Sequence, residues 1–126
     1  MKQIIIDTNA WMAISEFKLD IFAAIERDLD GSYQFVILSE IIEELEKIVS
    51  QQRAKYRQAA LLALGIIKAK RIQVIINKKG EKKVDDLLVE HSKKGDLILT
   101  QDSALKKRLH QPYLTIRQKK KILMVE

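Results

Sequence analysis

The sequence predicts an α/β fold: a mostly parallel central sheet with helices on both faces. Three observations predict it. First, short continuous apolar runs such as QIIID (3–7) and FVIL (35–38) read as strands buried on both faces. Second, the longer stretches between them place apolar residues at helical spacing. Third, the two kinds of segment alternate along the chain, as βαβ crossovers require.

Each element follows in order. QIIID (3–7) is the first strand. Residues 18–28 form a helix whose apolar side is Leu19, Ile21, Phe22, Ala23 and Ile25. DGS (30–32) is a turn. FVIL (35–38) is the second strand, and Ser39 then stands as N-cap of a helix over 40–49. A run of Ala and Leu gives a long helix over 53–69. IQVII (72–76) is a strand and NKKGEKK (77–83) a loop. Residues 84–94 form a helix, DLILT (96–100) a strand, and 103–109 a short helix. YLTI (113–116) and KILMV (121–125) close the sheet. Neither a linker nor an internal repeat interrupts this order, so one domain over residues 1–126 is expected.

Composition narrows the chemistry. The chain has 126 residues, is 47% hydrophobic and has no cysteine. Disulfides, thiolate zinc sites and cysteine nucleophiles are excluded. Asp7 interrupts the N-terminal apolar run, which is too short for a signal peptide, and no stretch approaches a membrane span. A soluble cytoplasmic protein without a membrane partner is the expectation. The net charge of +6 is unevenly spread: residues 1–65 carry 7 Lys and Arg against 10 acidic residues, and residues 66–126 carry 16 against 7. The basic half holds KAKR (68–71), KKGEKK (78–83), KKR (106–108) and RQKKK (117–121). Such a surface attracts polyanions, although a merely solvated Lys-rich face gives the same composition.

The acidic residues carry the sharper signal. Ligands in open α/β sheets bind beyond the carboxyl ends of strands. Asp7 stands at one such end, and Asp102 lies two residues past another in LILTQD. A third set lies in SEIIEELEKIV, where Ile41, Ile42, Leu45, Ile48 and Val49 form one helical stripe. Glu44 and Glu46 fall on its rims, and Glu40 and Glu43 point further outward. Periodicity does not choose between Glu44 and Glu46. In VDDLLVEH, Val84, Leu87, Leu88 and His91 mark the inner side; Asp85 falls on its rim and Asp86 further out, which favours Asp85.

Taken singly, each acid has an ordinary structural role. Asp7 could be a turn aspartate, Glu44 a solvated helix charge, Asp85 a partner of its helix dipole, and Asp102 an N-cap. Together, carboxylates converging at one sheet edge repel unless a cation sits among them. All-oxygen donors favour Mg²⁺ or Mn²⁺, and a cation beside a basic surface suits phosphodiester chemistry. No Gly-rich phosphate loop is present, which disfavours an NTPase. A phosphoacceptor receiver domain would need an acidic pair after the first strand and a lone aspartate after a middle one; IIIDTN and FVILSE do not supply them.

IIIDTN, SEIIEELEKI and VDDLLVEHSKKGDLILTQDSALKKRL, in this order, resemble the PIN-domain family of metal-dependent ribonucleases over nearly the whole chain. The resemblance implies a three-layer α/β/α fold and an endoribonuclease that leaves 5′-phosphate and 3′-hydroxyl ends. It assigns Asp7, Glu44, Asp85 and Asp102 as catalytic and metal-binding acids, choosing Glu44 because Leu45 follows it. Thr100 and Asn9 become supporting residues that position water or a carboxylate. Lys106, Lys107, Arg108, Arg117, Lys119, Lys120 and Lys121 would bind RNA phosphates without reading sequence.

The tail KKRLHQPYLTIRQKKKI resembles small ribosomal-RNA-processing PIN proteins more than toxin-type members. The expected partners are RNA, a second copy of the chain, and an antitoxin or ribosome-assembly factor. A toxin-type ribonuclease and a non-catalytic RNA- or protein-binding module on the same fold are the alternatives. Trp11 reads as core packing, with base stacking as its alternative. His91 reads as a partly buried helix residue and His110 as a surface one.

Overall fold

The computed structural model describes residues 1–77 and 82–126; most of the expected loop 77–83, including part of the basic KKGEKK, lies outside the described residues. The elements run β1 (Lys2–Ile6), α1 (Thr8–Glu16), α2 (Ile21–Asp28), β2 (Tyr33–Leu38), α3 (Ser39–Gln51), α4 (Ala54–Ala69), β3 (Gln73–Ile75), α5 (Val84–Lys93), β4 (Leu97–Leu99), α6 (Ser103–Arg108), β5 (Tyr113–Arg117) and β6 (Lys121–Val125). The strands form one sheet in the order β3-β2-β1-β4-β5-β6. The first five strands are parallel and β6 returns antiparallel to β5.

β1 and β4 form the centre. Ile4, Ile5 and Ile6 pair with Leu97, Ile98 and Leu99, and all six are essentially inaccessible. Successive strand residues point to opposite faces, so helices must cover both sides here. α1, α3 and α4 pack on one another, α5 packs on β4 and α6, and α2 packs on β6.

Strand order reverses at β1: the chain first builds outward through β2 and β3, then returns to place β4 on the other side. The crevice at such a reversal, beyond the carboxyl ends of the two strands, is where α/β sheets bind ligands. A glycine turn delivers β4 to this place. Gly95 has φ +99, and Asp96 N–H reaches back to the His91 carbonyl at 3.1 Å while Gly95 N–H reaches Ser92. This closing pattern ends α5 and sends the chain into β4.

Several local expectations differ. The sequence reading assigned no helix to 8–16, yet α1 starts directly after β1, with Asp7 as N-cap. Its apolar residues Ala10, Trp11, Ala13 and Ile14 are buried. Ser39 is not the N-cap of α3: β2 runs straight into the helix, Leu38 takes the cap position, and the Ser39 hydroxyl turns to Glu40. The inner side of α5 comprises Leu87, Leu88, Val89 and Ser92, while Val84 and His91 are only half-buried. Among the described residues, no helix is long and apolar enough to cross a membrane.

Candidate active site

The topology dictates where the acids land. Asp7 follows β1 immediately. Thr100 and Asp102 follow β4, the neighbouring strand. α3 leaves the carboxyl end of β2, so Glu44, in its second turn, stays near that edge. α5 follows β3, and Asp85 occupies its first turn. Asp7, Glu44, Asp85 and Asp102 line one open concavity, together with Thr8, Asn9, Met12, Glu16, Lys47, Ile48 and Tyr56.

Asp7 is the most constrained of the four. It is only 5% exposed. Thr8 N–H donates to its Oδ1 at 2.8 Å, and the Thr100 hydroxyl donates to its Oδ2 at 2.8 Å. Burial pushes its pKa up to about 6 against the stabilising pull of those two bonds, and the charges of Asp85 and Glu44 push the same way. An ionised Asp7 is therefore costly by itself and would gain from a neighbouring cation.

The other acids are held differently. Glu44 is half-buried and accepts a hydrogen bond from the Thr8 hydroxyl. Asp102 accepts from Leu105 N–H at 3.0 Å, so it caps α6 while lining the concavity. Its own N–H donates to the Thr100 hydroxyl at 3.1 Å. Thr100 thus links the Asp7 carboxylate to the backbone of Asp102. Asp85 sits where the positive end of α5 favours a carboxylate.

The ambiguous pairs separate in space. Glu46 is exposed and does not line the concavity, whereas Glu44 does. Asp86 pairs with Arg108 at 2.7 Å, which holds its carboxyl below the usual range. Glu40, expected to point outward, is half-buried and accepts from the Asn77 side chain at 3.1 Å. The Asn9 side-chain oxygen accepts from Gln101 N–H at 3.1 Å, so it fixes the loop carrying Asp102.

Two features escaped sequence reasoning. Gln101 fastens that loop to β5: its oxygen accepts from Ile116 N–H and the Thr115 hydroxyl, and its nitrogen donates to the Ile116 carbonyl. Thr8 holds Glu44. Neither carries a periodic signal, because both depend on which strands and helices meet.

The basic residues are scattered. Lys106 is half-buried, and burial, then the nearby Arg117, lower its pKa. Asp102 acts on it in the opposite sense. Arg108 is engaged with Asp86. Lys107, Lys119, Lys120 and Lys121 are exposed. The hairpin turn before β6 leans on the end of α1 and the last turn of α2: Lys119 lies 5.7 Å from the Phe17 ring centroid, and Arg27 donates to the Lys120 carbonyl. Trp11 is completely buried and packs 5.9 Å from Phe22, which rules out stacking on a base.

The donor set is hard oxygen throughout. Among the described residues no group of three or more Asp, Glu or His side chains is drawn together so as to ligate one ion. The set nonetheless fits Mg²⁺ or Mn²⁺, because such ions keep several waters and need only one or two direct carboxylates.

Residues 4–119 match the model of a family described as a PIN-like domain. A curated relative, Ribonuclease VapC4 of Methanocaldococcus jannaschii, is 28% identical over 125 residues, covering 95% of this chain and 94% of its own. The solved structure of the PIN domain endonuclease Utp24 superposes with a TM-score of 0.78 at 26% identity, covering 97% of this chain and 90% of that one. A domain of a functionally unknown protein from M. jannaschii shares the fold, with a TM-score of 0.55 at 15% identity.

Proposed function

Because the chain belongs to the PIN-like domain family, we propose that it is a divalent-metal-dependent endoribonuclease that hydrolyses RNA phosphodiester bonds. The observation that carries this reading is that Asp7, Glu44, Asp85 and Asp102 line one concavity at the strand-order reversal.

These four residues would hold Mg²⁺ or Mn²⁺. When bound, the ion supplies an activated water and neutralises charge growing on the phosphoryl oxygens. Thr100 keeps the Asp7 carboxylate aimed into the cleft, and Thr8 does the same for Glu44. Asn9 and Gln101 brace the loop that presents Asp102. Lys106, Arg117 and the exposed lysines bind backbone phosphates, which positions the strand without selecting sequence. Lys47, at the mouth of the same concavity, adds a cation there.

The test is cleavage of labelled RNA with Mg²⁺ or Mn²⁺, with Asp7→Asn as control. Cleavage that survives both chelation and Asp7→Asn would refute the site. A ribosomal-RNA-processing role is one setting for such an activity. A toxin-type ribonuclease held by an antitoxin is the second reading, favoured by the similarity to a curated ribonuclease along nearly its full length.

We also place a homodimer in this reading. On α4, Ala59, Ala60, Ala63 and Ile67 are buried while Leu61 and Leu62 are nearly half exposed. The buried side is mostly alanine while two leucines stay exposed, the pattern of a face awaiting a partner.

A further inference from the structure

The acidic concavity adjoins a second depression of about 420 Å³ lined by Met12, Ser15, Glu16, Lys55, Tyr56 and Ala59. Met12, Glu16 and Tyr56 line both. Tyr56 lies in the first turn of α4 and is 52% exposed. Lys55 Nζ lies 5.2 Å from its ring centroid. An aromatic ring, an apolar methionine and a lysine thus stand together immediately beside the acids.

We propose that this second depression is a nucleotide subsite, in which a base next to the scissile phosphate of single-stranded RNA stacks on Tyr56. This rests on the nuclease reading and adds a substrate-binding residue to it. Every base offers a π-face, so an exposed ring beside a cation binds single strands with little sequence preference. Met12 supplies an apolar floor. The Lys55–Tyr56 contact is weak at an exposed position, and the ammonium exchanges it for a backbone phosphate. A paired base keeps its faces inside the duplex stack and has none to offer Tyr56. Tyr56 therefore takes up an unpaired base beside the four acids without being one of them.

The experiment uses the full chain carrying Asp7→Asn, which binds without cutting. Affinity is measured for a single-stranded RNA oligomer and, by competition, for inorganic polyphosphate. Adding Tyr56→Ala should weaken RNA binding about tenfold or more and leave polyphosphate binding unchanged. Adding Tyr56→Phe should keep RNA binding within about twofold, because the ring and not the hydroxyl does the stacking. Three results overturn the proposal: unchanged RNA affinity in Tyr56→Ala, an equal loss for polyphosphate, or a loss in Tyr56→Phe as large as in Tyr56→Ala. Metal-dependent cleavage by the otherwise unaltered chain is measured separately. A stacking failure leaves cleavage standing, and a cleavage failure leaves the binding comparison standing.

Discussion

The Thr100 hydroxyl donates to the Asp7 carboxylate at 2.8 Å across 93 positions of sequence. Thr100 is itself fully buried and accepts from Asp102 N–H. One hydroxyl therefore orients the Asp7 carboxylate and fixes the backbone at Asp102. Thr100→Val keeps the shape and removes this link. Activity should fall about 10- to 100-fold, the usual cost of losing a residue that orients a metal ligand. Kinetics with saturating Mn²⁺ would check it; an unchanged rate would mean that Asp7 is held by packing alone.

Burial raises the pKa of Asp7 to about 6 from 3.8. In metal-free protein the folded state holds a proton that the unfolded chain has already released. Stability should therefore fall as pH rises from about 4 to about 6, and the ionised carboxylate then costs about 3 kcal/mol. Asp7→Asn should flatten this slope and raise metal-free stability at neutral pH, while removing stabilisation by Mn²⁺. Urea unfolding in chelator across that range is the measurement. Identical slopes in the two proteins would contradict the burial argument.

Glu44 and Asp85 line the acidic concavity, whereas Glu46 is exposed and Asp86 is tied to Arg108. Glu44→Gln and Asp85→Asn should each lower cleavage by about a hundredfold or more. Glu46→Gln and Asp86→Asn should change it by less than about threefold; surface ion pairs contribute little. A deeper loss at Asp86 than at Asp85 would reverse the assignment.

Lys119, Lys120 and Lys121 are exposed around the β5–β6 turn. Replacing all three by alanine should weaken binding of unrelated single-stranded RNAs about equally. The slope of log affinity against log salt should flatten by about 0.7 for each phosphate that is no longer neutralised. Titrations in an Asp7→Asn background exclude interference from cleavage. A solvated tail that never touches RNA predicts no change in slope.

The exposed Leu61 and Leu62 predict self-association through α4. Light scattering should give the mass of two chains. The double variant Leu61→Glu, Leu62→Glu should give the mass of one, because two charges would have to be desolvated at the interface. A monomer at high concentration before any substitution would dismiss the interface.

Much of this was legible in the sequence because strands buried on both faces leave unbroken apolar runs. Asp7 and Asp102 stand out as polar residues that end or follow such runs. Glu44 needed more: its helical phase allowed Glu46 equally, the family resemblance chose it because Leu45 follows, and in space it is Glu44 that lines the concavity and accepts from Thr8. α1 was missed because it starts one residue after β1, so Trp11 read as packing beside a strand rather than as part of a nine-residue helix. Ser39 failed as a cap because β2 leaves no turn before α3. Tyr56 gave no signal, since an exposed ring near a helix start breaks no periodic pattern.

The pairing of β1 with β4 also sets when the proposed site can be complete. Asp7 and Glu44 lie on elements made before β4. The slot beside β1 stays empty until residues 97–99 emerge and fill it. Only then do Thr100 and Asp102 arrive at Asp7. Joining strands so distant in sequence carries a loop-closure cost that local contacts do not bear. A fragment ending before β4 thus lacks Thr100 and Asp102, and on the proposed assignment it cannot cleave RNA until most of the chain has been made.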